Sequence, residues 1–205
     1  MSEYDHEPIP GLPGTLPAGE EILWRGSPDW FGLAQRAFHV RGFAVYFAVL
    51  LLVSLVNGTL IGIGLTVAGA ALGLGILFGL AWLSARTTIY TITNKRVVMR
   101  FGMALPAAIN LPFAAIGGAN VAYDGKGRGD IPLILTGKHR LGYLQFWPHA
   151  RAWKLARPEP MLRSINDAAG VVAILSAELA RTHASMPIIQ DANPPQPLST
   201  EAIAA

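Results

Sequence analysis

The chain has 205 residues, of which 52% are hydrophobic and only 14% charged, with a formal net charge of +3. Soluble domains average about 25% charge, so the composition points to membrane contact and away from a disordered regulator. The absence of cysteine excludes a disulfide scaffold, a thiolate zinc site, an iron–sulfur cluster and a thiol nucleophile, and the five histidines at 6, 39, 139, 149 and 183 form no pair with metal-ligand spacing.

Residues 1–36 read as an acidic cytoplasmic arm rich in Pro and Gly. The run Pro8-Ile9-Pro10-Gly11-Leu12-Pro13-Gly14-Thr15-Leu16-Pro17 cannot be helical and is expected to lie extended, in polyproline conformation. Pro10, Gly11, Leu12 and Pro13 would suit a groove on another protein; the alternative is that the acidic arm packs on the chain's own basic domain. Trp24 and Trp30, further along, suit an interfacial position or a docking pocket. A cleaved signal peptide is not expected, because Glu3, Asp5, Glu7, Glu20, Glu21 and Asp29 outweigh Arg25 and leave no positive leading region.

Residues 37–86 read as a transmembrane helical hairpin. From Gly42 to Ala85 there is no Asp, Glu, Lys, Arg or His, and a spanning helix needs about 20 apolar residues. Asn57-Gly58-Thr59 breaks this block into a first span, Gly42 to Val56, and a second, Leu60 to Ala85. Ten Val, Leu or Phe residues in the first span favour insertion by about 3 to 6 kcal/mol. Arg36, His39 and Arg41 mark the membrane edge before the hairpin, and Trp82 with Arg86 marks it afterwards. The connecting loop has no Lys or Arg, which predicts a multi-pass protein with both termini in the cytoplasm. Small residues of the second span fall on two faces at 100° per residue: Gly62, Gly69 and Gly73 with Thr66 on one, and Gly64, Ala68, Ala71, Gly75 and Gly79 on the other. Small residues let helix backbones approach closely in lipid. One face is expected to seat the first span and the other a helix of a client protein or of a second copy in a homodimer.

Residues 87–184 change to alternation. Thr88 to Thr93 and Arg96 to Phe101 predict a hairpin turning at Asn94-Lys95. Further strands are expected at Ala107 to Leu111, Ala119 to Tyr123, Ile131 to Leu135, Leu141 to Trp147 and Met161 to Ile165. A helix capped by Asn166 or Asp167 follows, with an apolar stripe of Val171, Val172, Leu175 and Leu179. Seven strands closed by one helix is the order of a pleckstrin-homology-like antiparallel barrel. The expected fold class is therefore a membrane α-helical hairpin followed by a mainly-β domain of that kind, and residues 185–205 are expected to be a disordered tail.

Between Arg86 and Arg163 twelve Lys or Arg residues face three acids. Lys95, Arg96, Arg100, Lys126, Arg128, Lys138 and Arg140 are the candidate basic docking face, for anionic membrane lipid or for an acidic protein partner. The loop Asp124-Gly125-Lys126-Gly127-Arg128-Gly129-Asp130 matches neither phosphate-binding fingerprint, and no triad or tuned carboxylate pair can be assembled. No catalytic residue, metal site, cofactor or nucleic-acid partner is expected. Pigment ligation through a histidine finds no residue in either span.

Pro10-Gly11-Leu12-Pro13, Leu16-Pro17, Gly19-Glu20, Ile22-Leu23-Trp24, Gly26, Pro28 and Trp30, then Arg36-Ala37-Phe38-His39-Val40-Arg41, resemble the photosynthetic complex assembly proteins of the PuhB type. Thr88, Tyr90, Thr93, Arg96 and Gly102 resemble the opening hairpin of bacterial pleckstrin-homology domains, and Trp153, Pro158, Pro160, Leu162 and Arg163 extend the resemblance to the closing helix. The resemblance implies a non-enzymatic membrane factor that assists assembly of the reaction centre with its core light-harvesting complex in purple bacteria, with subunits or intermediates of those complexes as partners. The alternative is a general anionic-lipid-binding module with no photosynthetic client.

Overall fold

The computed structural model of the chain describes residues 11–12, 14–102, 107–124, 127–137, 146–151 and 158–185. Three helices come early: α1 (Trp30–Arg36), α2 (Val40–Val56) and α3 (Leu60–Thr87). Strand β1 (Ile22–Gly26) precedes them. Strands β2 (Ile89–Thr93), β3 (Arg96–Phe101), β4 (Ala107–Pro112), β5 (Ile116–Ala119), β6 (Ala122–Tyr123), β7 (Gly129–Leu135) and β8 (Met161–Ile165) follow, and α4 (Ala168–Ser185) closes the order.

α3 is long and apolar enough to cross a membrane, with a mean hydropathy of 2.2 over its best window. α2 is not long enough by itself. Its 17 residues reach the length of a span only together with α1, across a bend of 61°, so the expectation of two spanning helices becomes one span and one bent pair. The bend centres on His39, which takes a left-handed φ of 53°, a region where His is tolerated better than most side chains. α2 and α3 pack on each other as a hairpin through the turn at Asn57, and α1 packs on the last turns of α3, where Leu33, Ala34, Phe38 and Val40 bury against Ala81 and Ala85.

The β-rich domain is two antiparallel sheets, one in the order β1-β2-β3-β4 and one in the order β5-β7-β6 with β8 also on β7. The hairpin turning at Asn94-Lys95 forms as expected, with Ile89 opposite Arg100 and Ile92 opposite Val97. Alternation puts Tyr90, Ile92, Val97, Met99 and Phe101 in the core, where Val171 and Leu175 of α4 join them. Asp167 caps α4 by accepting from the Gly170 N–H at 3.0 Å.

Three expectations need correction. The arm contains β1, whose Trp24 pairs with Ile92, so a boundary at residue 36 cuts through a sheet. Ala119 to Tyr123 is not one strand, because pairing passes from β5 to β6 on the same partner, β7. Phe146 and Trp147 lie in a helical turn rather than a strand. Residues 141–145 of that expected strand, and the tail from 186, lie outside the described residues.

The arm also explains why β2 is covered on both faces. A Cβ on Gly11, which has φ +90°, would lie 2.6 Å from Ile89 Cγ2. Glycine is therefore required there twice over, by conformation and by space. Leu12 beside it is buried, and Glu20 accepts a hydrogen bond from the Thr93 hydroxyl at 2.8 Å. The arm is a strap over the outer face of β2.

Candidate functional site

The two small-residue faces of α3 have different surroundings. On the first, Phe47 of α2 lies 3.6 Å from a Cβ built on Gly69 and 3.4 Å from one on Gly73. Gly62 adjoins the Ser54 and Thr59 hydroxyls, and Ser54 and Thr66 hydrogen-bond across the pair at 3.2 Å. This face seats α2. On the second, Gly64, Ala68, Ala71, Gly75 and Gly79 are all exposed, and nothing lies within 4 Å of a Cβ on Gly64, Gly75 or Gly79.

Among the described residues, the candidate basic residues of the β2–β3 hairpin lie at both of its ends. Lys95 and Arg96 sit at the end of the β2–β3 hairpin away from α3, whereas Arg100, opposite Ile89, lies at the end next to it. Arg96 and Arg128 are held in ion pairs inside the chain. Arg96 pairs with Glu20 through Nε at 2.8 Å and Nη2 at 3.1 Å. Burial alone would raise the Glu20 carboxyl, but the hydrogen bonds from Arg96 and Thr93 and the charges of Arg96 and Lys95 outweigh it and hold it below 4.5. Arg128 pairs with Asp124 at 2.8 Å and with Asp29, and its hydrogen bond to Asp124 is the largest cause raising its pKa. Lys95 reaches the Ala18 carbonyl at 3.4 Å. Lys126, Lys138 and Arg140, like Pro10 and Pro13 of the arm, lie outside the described residues.

At the junction between helices and domain the membrane-edge residues meet the strands. Arg36 pairs with Asp130 of β7 at 3.1 Å. The other Asp130 oxygen accepts the Ser164 N–H at 2.8 Å, and the Ser164 carbonyl accepts the Asp29 N–H at 2.9 Å. Ser164 does both because it sits at a left-handed φ of 49° near the bulge in the β7–β8 register. Trp30 and Phe31 pack on Phe78, the Arg86 guanidinium lies 4.9 Å over the Trp82 ring, and Arg41 is exposed in the first turn of α2.

A buried polar chain escaped the sequence reading. The Arg163 N–H donates to the Tyr90 hydroxyl at 3.3 Å, which then has its own proton for His149 Nδ1 at 2.7 Å. The Thr88 hydroxyl donates to the Ser84 carbonyl at 2.7 Å and so accepts from His149 Nε2 at 3.0 Å. For a neutral imidazole the directions agree only with the proton on Nε2. Burial first, and the Arg163 charge second, push the His149 pKa down to about 3, and burial raises that of Tyr90. Together these bonds tie the last turn of α3 to β2 and β8. No sequence signal marks them, because His149 stands 61 residues from Thr88 and 59 from Tyr90.

A family model described as "Bacterial PH domain" matches residues 42–179, from inside α2 to inside α4. The uncharacterized 23.7 kDa protein in the puhA 5′ region of Rhodobacter capsulatus is 39% identical over 184 residues, covering 85% of this chain and 86% of that protein. Among solved structures, a DUF1696 family protein with a pleckstrin-homology domain from Shewanella loihica matches with a TM-score of 0.31 and 15% identity, over 45% of this chain and 71% of that one.

Proposed function

This chain belongs to the bacterial PH domain family, and from that premise we propose that it is a non-enzymatic membrane scaffold of the PuhB type, which assists assembly of the photosynthetic reaction centre and its core light-harvesting complex. The observation that carries scaffolding is the asymmetry of α3. One small-residue face is filled by α2 and the other, from Gly64 to Gly79, is bare; in lipid, where hydrophobic attraction between helices is absent, such a face associates by close backbone approach. A transmembrane helix of a client subunit fits it, with a second copy of the chain as the competing occupant. The 39% identical relative in a puhA region supports the photosynthetic setting.

Arg36, Arg41 and Arg86 stand at one end of the hairpin and no Lys or Arg at the other, which favours a domain held on the cytoplasmic side. Tagged protein from phototrophically grown cells should then co-purify with reaction-centre or core light-harvesting subunits. Deleting the gene should lower the amount of assembled core complex without shifting the absorption spectrum of what remains. Unchanged core-complex levels in the deletion strain defeat this reading.

A further inference from the structure

The 28 residues of α3 rise about 42 Å, roughly 12 Å more than a hydrocarbon core. With Leu60 at the far edge, the last two turns emerge at the headgroup layer. An open cleft of about 510 Å³ lies there, between the β1–α1 connection, the end of α3 and the β8–α4 turn. Two of its walls are indole rings, Trp30 and Trp82, exposed by 43% and 47%, side chains that favour the membrane–water boundary.

Arg86 supplies the positive charge of the lining. Arg86 lies over Trp82, and among the described residues no carboxylate is within ion-pair distance of it. A guanidinium that contacts a ring and has no carboxylate partner keeps N–H groups for an anion, and its fork of donors matches phosphate oxygens. Ser27 and Asn166 add neutral groups able to donate. The one carboxylate in the lining, Asp29, accepts from the Arg128 guanidinium and from the Gly32 N–H through one oxygen, Oδ2, so that oxygen is taken within the chain.

We propose that this juxtamembrane cleft binds the phosphate headgroup of an anionic membrane lipid, with Arg86 holding the phosphate and Trp30 and Trp82 flanking the glycerol and the first methylenes of the chains. The site rests on α3 crossing the bilayer. It is distinct from the Lys95 and Arg96 end of the domain, where Arg96 is already paired with Glu20 and which lies a full strand, about 17 Å, from α3.

Native mass spectrometry of the full chain in detergent, titrated with short-chain phosphatidylglycerol, phosphatidylcholine and inorganic phosphate, tests it. One phosphatidylglycerol should bind saturably, and Arg86→Gln should weaken that binding about tenfold, in line with loss of a charge-assisted contact. Asn166→Ala, at an exposed turn, should weaken it about threefold and keeps the test usable if Arg86→Gln does not fold. Equal binding by both folded variants, indifference between the two lipids, or saturation of the site by inorganic phosphate alone overturns the proposal. Recovery of the chain without detergent would instead remove the membrane reading itself, so the two failures are distinguishable.

Discussion

Over its apolar length α3 meets α2 through Gly62, Gly69 and Gly73, with Phe47 seated in the space that the missing side chains of Gly69 and Gly73 leave. In its last turn the same helix meets the domain through the Ser84 carbonyl, Thr88, His149 and Tyr90. The first contact has one side-chain hydrogen bond, Ser54 to Thr66, and no charge. The second is a directed chain of hydrogen bonds in a dry interior. In lipid the hydrophobic effect does not press helices together, so complementary shape must do it. In the domain burial is already secured by Ile92, Val97 and Leu175, and the polar chain adds orientation.

One way to break the comparison is to fill the space that seats Phe47. A Leu at Gly73 puts its Cβ already in contact with Phe47 Cε2, at 3.4 Å, and adds three more carbons beside that ring; overpacking of this kind costs about 1 to 3 kcal/mol. Gly75→Leu meets nothing within 4 Å and should leave unfolding in detergent within about 0.5 kcal/mol of the parent. In cells the ranking of harm on the bare face should reverse: Gly75→Leu should lower core-complex levels although the chain itself is intact. Equal loss of thermal stability in both variants would erase the distinction between the two faces.

The polar chain is the next target. Tyr90→Phe removes the hydroxyl between the Arg163 N–H and His149 Nδ1, leaving two buried groups unpaired, at a cost of about 1 to 3 kcal/mol each. The same chain predicts an acid limit. A histidine whose folded pKa is about 3 against 6.5 when free contributes its full stability above pH 6.5. That contribution is lost progressively as the pH falls towards 3, because the unfolded chain takes up the proton first. Thermal unfolding of the full chain followed across this range should show the slope, and His149→Leu should remove that component of it.

These two regions were unequally legible in the sequence. The seat for α2 could be read from spacing, because Gly62, Gly69 and Gly73 recur on one face of a single helix, and so could the β2–β3 hairpin, whose turn lies between two alternating runs. β1 was legible in part: Ile22, Trp24 and Gly26 alternate with exposed residues, but the Pro and Gly upstream made the segment look like free arm. The basic residues were legible only as a count, which does not show which cations are spent internally, as Arg96 is on Glu20 and Arg128 on Asp29 and Asp124. The junction was invisible. Thr88, His149 and Arg163 come from three distant stretches, and only the closed sheets bring them together.

The smallest effect belongs to the strap, where Glu20 couples the arm to Arg96. Glu20→Gln keeps the side chain's shape and its oxygen acceptor but removes the charge, and should cost about 1 kcal/mol at neutral pH, less than loss of a buried ion-pair partner because Arg96 stays partly in water. A carboxyl held below 4.5 contributes stability that is present above 4.5 and is lost as the pH falls through its folded value. The parent and Glu20→Gln should therefore differ in unfolding midpoint at neutral pH and converge in acid, after subtraction of the His149 slope common to both. If the gap persists once Glu20 is protonated, charge is not what fastens the arm. The strap would then be held by the close fit of Gly11 on Ile89 and by the buried Leu12, and would share the shape-based logic of the α2–α3 contact rather than the polar logic of the junction.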